Sequence, residues 1–243
     1  MGSAEDEYAV AHQALKIHGW LRPPAALRTV DILRWQEAEG ISGGLVEIGV
    51  MCGKYFALLL ESAERADAPL LGIDTFQYAP QSRVRKEMKK IFGRRIMGRV
   101  TLLESRSCDV PAARIAETVG APRFVSVDGS HEAPDVLGDL ELCEAVLAPD
   151  GLVSADDFLN PLTLGVNEAI NDFCRTARRL VPVGFVANKL FMCRPGAAAR
   201  YMAAFEGIMA RAQEDHAVKF RERATHGRHH VEQPFHGHRV LVM

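Results

Sequence analysis

No two cysteines of this chain are spaced as C-x-x-C, and the five present, Cys52, Cys108, Cys143, Cys174 and Cys193, are scattered and odd in number. That excludes a disulfide framework and a thiolate zinc knuckle, and it leaves reduced, mostly buried thiols. No apolar run reaches the length of about 18 residues that spans a bilayer. The acidic opening MGSAEDEYAV also lacks the basic and apolar regions of a secretory signal. A cytoplasmic protein with no membrane partner is the expectation. Net charge is nearly absent: 29 Lys and Arg against 31 Asp and Glu leave a formal −2, so nothing draws the whole protein to nucleic acid or anionic lipid. A small-molecule ligand is the default. Two phosphate signatures are missing as well, the G-x-G-x-x-G of dinucleotide turns and the Walker lysine motif, which disfavours NAD and ATP.

What is there alternates. Short apolar runs rich in β-branched residues, GLVEIGV (44–50), PLLGIDTF (69–76), RVTLLES (99–105), RFVSVDG (123–129) and GLVSADDF (151–158), have the character of buried parallel strands. Helix-like segments lie between them, among them KYFALLLESAERA, SRVRKEMKKIFGRRI, VPAARIAETVG and DVLGDLELCEAVLAPDG. A further helix, GVNEAINDFCRTARRL, precedes VGFVANKLFMC, which reads as two strands joined at Asn188 and Lys189. The 243 residues thus predict one α/β domain. Its sheet is Rossmann-like, doubly wound and seven-stranded, closing in an antiparallel C-terminal hairpin with helices on both faces. Residues 1–40 form a helical lid or interface broken at Pro23 and Pro24, residues 41–195 the core, and residues 196–243 a helix with a His-rich tail. Irregular spacing of His226, His229, His230, His236 and His238 favours a surface or oligomer contact over a metal site. With these extensions the expectation is a homo-oligomer.

In open α/β sheets ligands sit beyond the carboxyl ends of the strands. The first end, VEIGVMCGKY, holds Gly49 and Gly53, which let backbone approach a ligand; a tight turn that merely needs glycine competes with that reading. The second ends in Asp74, placed to accept hydrogen bonds from a ribose or, more plainly, to cap a helix. Asp128 ends the fourth strand, and Asp156 with Asp157 the fifth. Parallel neighbours would gather three like charges, a conflict that a hard divalent ion such as Mg²⁺ resolves; turn capping by each acid is the alternative.

Glu47-I-Gly49-V-M-C-Gly53-K-Y, Asp74 and the late hairpin together resemble class I methyltransferases dependent on S-adenosylmethionine, over about residues 40–195. The likeness implies that Glu47, Gly49 and Gly53 face the methionine part of the cofactor, Asp74 the ribose, and Ser105 or Ser107 the adenine side. Tyr55 departs from it, standing where relatives often carry a small hydroxyl residue. Asp128, Asp156 and Asp157 resemble the metal set of O-methyltransferases that act on catechols and on antibiotic sugars, and in those enzymes the position of His131 holds the base. The resemblance therefore implies Mg²⁺-assisted methylation of a hydroxyl on a small molecule, a sugar or diol, with His131 and Asp128 catalytic. A metal-independent N- or O-methyltransferase and a non-catalytic cofactor-binding assembly partner stay open. Arg83, Arg85, Lys86, Lys89, Lys90, Arg94 and Arg95 read as the solvated face of a lid helix that could meet an anionic acceptor, since stacking aromatics other than Phe92 are missing.

Overall fold

A computed structural model describes residues 7–93, 98–176 and 179–243. The first six residues of the acidic opening, and Arg94 and Arg95 of the basic stretch, lie outside the described residues. Strands β1 (Leu45–Ile48), β2 (Leu70–Asp74), β3 (Val100–Glu104), β4 (Phe124–Val127), β5 (Leu152–Ala155), β6 (Val181–Val186), β7 (Lys189–Cys193), β8 (Glu232–Phe235) and β9 (His238–Val242) form one sheet in the order β3-β2-β1-β4-β5-β7-β6-β9-β8. The first five run parallel and the order reverses between β1 and β4, which is the switch point where ligands bind. Strand β7 is antiparallel to both β5 and β6.

Helices alternate with the strands in the order α1 (Ala9–Ala14), α2 (Pro23–Ala38), α3 (Phe56–Arg65), α4 (Gln81–Phe92), α5 (Ala112–Val119), α6 (Ala133–Val146), α7 (Leu164–Arg175), α8 (Ala198–Arg211) and α9 (Asp215–Thr225). Buried side chains divide into two clusters, one for each face of the sheet: Leu45, Phe124 and Leu152 point to one, Val46, Val125 and Val153 to the other. That split is the period-2 alternation of strands buried on both sides.

Three boundaries differ from the reading of the sequence. Pro23 and Pro24 open a helix rather than break one, because proline at the first helical positions lacks only an N–H that would find no partner there. The hairpin turns at Ala187, which has φ 57°, and Asn188, while Lys189 is the first residue of β7. The sheet also has nine strands instead of seven, since the His-rich segment is folded into it. Phe235 pairs with His238 across a two-residue turn in which His236 and Gly237 both have positive φ, 47° and 80°, the geometry of a type I′ hairpin. Strand β9 then adds to β6 in parallel. Among the described residues no helix is long and apolar enough to cross a membrane.

Candidate active site

Register builds the site. Gly72, Glu47, Ser126 and Ser154 are aligned across β2, β1, β4 and β5, so this row crosses four strands on one face. Two residues further along, alternation returns to the same face and places Asp74, Gly49, Asp128 and Asp156 at the carboxyl edge. Neighbouring strands are about 4.8 Å apart. Acids at adjacent ends must therefore meet.

The two glycines have structural reasons of their own. Gly49 has φ 86°, and a Cβ there would stand 1.8 Å from the carbonyl oxygen of Asp128. Strand ends β1 and β4 can touch only because the side chain is missing. Gly49→Ala is expected to lower stability by at least about 2 kcal/mol, since it adds that clash to the cost of a left-handed backbone; an unchanged melting temperature would refute the close approach. Gly53, also at φ 86°, lies under α4, where a Cβ would come within 3.0 Å of Met88 Cε and 3.2 Å of Val84 Cγ1. Asp74 joins two turns: its Oδ2 accepts the Met51 N–H at 2.7 Å and its Oδ1 the Phe76 N–H at 2.6 Å. Met51 and Phe76 both have positive φ, 48° and 51°. Strained turns held by one carboxylate are over-determined, as ligand-binding edges often are, and each oxygen keeps an acceptor position for a ribose hydroxyl.

Glu47 is buried within the sheet, and its Oε2 has no hydrogen-bond partner. Burial, reinforced by the charge of Asp128, holds its carboxyl well above the usual range. Ser105 is half-buried after β3, its N–H bonded to the Asp74 carbonyl at 3.0 Å. Ser107 hydrogen-bonds Asp139 of α6, a buried acid that the sequence reading missed. Burial pushes Asp139 up to about 6, against the Ser107 bond that favours its charged form. Folded Asp139 keeps its proton up to about 6 and the unfolded residue loses it near 3.8, so stability should fall as pH rises across that window. The loss is about 3 kcal/mol at most, and Asp139→Asn should flatten that part of the profile in denaturation measured from pH 3.5 to 7.

The three acids at the β4 and β5 ends separate into two layers. Asp156 is buried, with Lys189 Nζ 2.7 Å from its Oδ2. Burial and the adjacent charge of Asp128 push Asp156 up to about 7 against the pull of Lys189. Lys189 itself is buried and lies 4.3 Å from the ring centroid of Tyr55, whose hydroxyl shares a hydrogen bond of 2.9 Å with Thr29. Neither Lys189 nor this role of Tyr55 was expected. Asp157 has φ 59°, which breaks the strand alternation. Its Oδ1 accepts amide N–H groups from Asn160 at 2.8 Å and Asn188 at 3.1 Å. Its Oδ2 lies 3.2 Å from His131 Nε2, which is 4.0 Å from Asp128 Oδ1.

Asp128, His131 and Asp157 thus form the one group among the described residues able to hold a metal ion, with one ligand atom from each and all three within 4.8 Å of one another. The carboxylates of Asp128 and Asp157 beside it raise the His131 pKa above its ordinary value, and partial burial opposes them. The structure brings the three expected acids and the expected base to one strand edge, with Asp128, Asp157 and His131 facing one another and Asp156 hydrogen-bonded to Asp128. Asp156 sits beneath them with its own counter-ion.

Solved structures share this architecture. The O-methyltransferase NovP matches with a TM-score of 0.57 at 14% identity, over 69% of this chain and 78% of its own. An O-methyltransferase from Bacillus cereus, solved with SAH, gives 0.53 at 12% identity, over 77% of this chain and 88% of its own. The MycE methyltransferase of mycinamycin biosynthesis, solved with Mg, SAH and mycinamycin VI, gives 0.53 at 16% identity; 78% of this chain is covered, and it spans 54% of that longer protein. No curated protein sequence matches the chain. Residues 46–158, from β1 to the turn after β5, match the family described as methyltransferase domain. The chain thus carries a methyltransferase-domain match over residues 46–158 within a fold that it shares with these O-methyltransferase structures.

Proposed function

We propose that the chain is an S-adenosylmethionine-dependent O-methyltransferase, assisted by a divalent cation such as Mg²⁺, that methylates a hydroxyl of a small-molecule sugar or diol. The convergence of Asp128, His131 and Asp157 at the carboxyl edge carries this reading. The donor set fits the ion: two carboxylates supply hard oxygen ligands, and side-chain amides hold Asp157 in place. When bound, the cation would supply a Lewis acid that lowers the pKa of the acceptor hydroxyl. S-adenosylmethionine would bind along the edge from Gly49 to Asp74.

The chain's own groups then have distinct tasks. Asp128 and Asp157 hold the cation, and His131 receives the hydroxyl proton at Nε2, where the two carboxylates stabilise the imidazolium that results. Asp74 fixes both cofactor turns. Leu159 and Leu162 in the loop just after Asp157, and Leu164 at the start of α7, are 65%, 88% and 70% exposed, an apolar surface for the body of the acceptor.

MycE, solved with Mg and SAH, supports the ion by analogy of fold. The ion pair of His131 with Asp157 also suits a metal-independent base, so the test must separate the two. Methyl transfer from labelled S-adenosylmethionine to diol-bearing sugars and phenols should depend on Mg²⁺ and stop in excess chelator. Chelator-insensitive transfer would favour the metal-independent reading, and cofactor binding without transfer to any acceptor would leave an assembly role.

A further inference from the structure

Outside the acid cluster, the strongest feature is helix α4 and the groove at its amino end. The helix carries Arg83, Arg85, Lys86, Lys89 and Lys90 against one acid, Glu87. Glu87 pairs with Arg83 at 3.0 Å and with Lys90 at 2.8 Å, while Arg85, Lys86 and Lys89 have no ion-pair partner among the described residues. The buried side of α4, Val84 and Met88, covers Gly53, which fixes the helix against the cofactor turn. Its amino end faces a groove of about 700 Å³ lined by His18, Cys52, Tyr78, Ser82, Arg83 and Lys86, together with Ala79 and Pro80.

Every wall of that groove is fixed to the proposed active edge. Cys52 belongs to the glycine turn, and the backbone beside His18 is tied to the same turn by Lys54, whose Nζ donates to the Gly19 carbonyl at 2.7 Å. Tyr78 is 84% exposed, a stacking-sized ring open to solvent. Its loop begins just past Phe76, which Asp74 anchors. The groove therefore combines three features of a nucleotide site: cationic groups at Arg83 and Lys86 beside the His18 imidazole, an open aromatic face, and a twelve-residue helix whose first N–H groups have no side-chain cap. With the overall charge at −2, this positive patch is local rather than a property of the whole surface.

We propose that this groove binds the phosphate end of the methyl acceptor, a nucleoside diphosphate-linked small molecule, with the phosphates on His18, Arg83 and Lys86 and the base against Tyr78. This deepens the proposed function by naming the class of acceptor, and it rests on that reading.

Titration of the full chain, saturated with S-adenosylhomocysteine, separates the outcomes. The probes are inorganic pyrophosphate, uridine diphosphate, uridine and vesicles containing phosphatidylserine. Uridine diphosphate is expected to bind at least about tenfold more tightly than uridine, and Lys86→Glu to weaken both it and pyrophosphate by about tenfold or more. Tyr78→Ala should weaken uridine diphosphate but leave pyrophosphate unchanged. The affinity of S-adenosylhomocysteine itself should not change in either variant.

Displacement of S-adenosylhomocysteine by pyrophosphate would overturn the proposal, because the groove would then belong to the cofactor. Binding to vesicles alone, or no binding of either phosphate probe, would overturn it too. If the phosphates bind as expected and no methyl transfer is found, the proposed function fails while the groove stands. If transfer to neutral acceptors proceeds and the phosphates do not bind, the converse holds.

Discussion

Lys189→Met is expected to destabilise the protein by about 3–5 kcal/mol, the range for removing one partner of a buried ion pair. Lys189 is 1% exposed and the Asp156 side chain 7%, so the orphaned carboxylate could not recover its hydration. Asp128 beside it makes matters worse, since its negative charge already pushes Asp156 upward. Protonation is the one escape, and it fixes the pH dependence. Without Lys189 the pKa of Asp156 rises further above about 7; below that value Asp156 is neutral and the loss is small, and above it the charged form is left without a partner. Urea denaturation should therefore show a larger penalty at pH 8.5 than at pH 5.5. Adding Asp156→Asn to Lys189→Met should restore much of the stability, because the uncompensated charge is gone. A single variant as stable as the parent at pH 8.5 would mean that the ammonium and the carboxylate do not depend on each other.

Much of this arrangement could be read from the chain. Five short apolar runs, four of which end in an aspartate or a glycine turn, were enough to fix the parallel half of the sheet and the edge that carries Asp74, Asp128 and Asp156. Lys189 was not legible. A lysine after Asn at a hairpin reads as a solvated turn residue, and its burial depends on an acid 33 positions earlier that only the antiparallel pairing of β5 with β7 brings alongside. The layering of Asp156 and Asp157 depends on the left-handed backbone at Asp157, which no pattern of residue types announces. Strands β8 and β9 did carry a signal in His236–Gly237, a glycine dipeptide between alternating residues, but the crowd of histidines around it reads as a polar tail.

Asp157→Ala and Asp128→Ala should each reduce Mg²⁺-dependent turnover by at least about a hundredfold, with the affinity for S-adenosylhomocysteine nearly unchanged. The affinity holds because neither side chain supports the turns that Asp74 fixes. Turnover falls because each residue does two things at once, offering an oxygen to the cation and lying within 4.0 Å of the nitrogen that takes the proton. His131→Ala removes only the second of these. It should lower kcat by about 10²–10⁴ and leave the Mg²⁺ dependence of the remaining activity in place. Asp156→Asn provides the contrast, for its carboxylate is paired with Lys189. Its loss should appear in stability first, and the Mg²⁺ concentration giving half-maximal rate should stay within about threefold of the parent, below the tenfold or more that loss of a supporting group costs in metal affinity. If Asp156→Asn weakens the response to Mg²⁺ as strongly as Asp157→Ala does, the ion is held by the buried acid as well, and Lys189 must give up its partner when the metal binds.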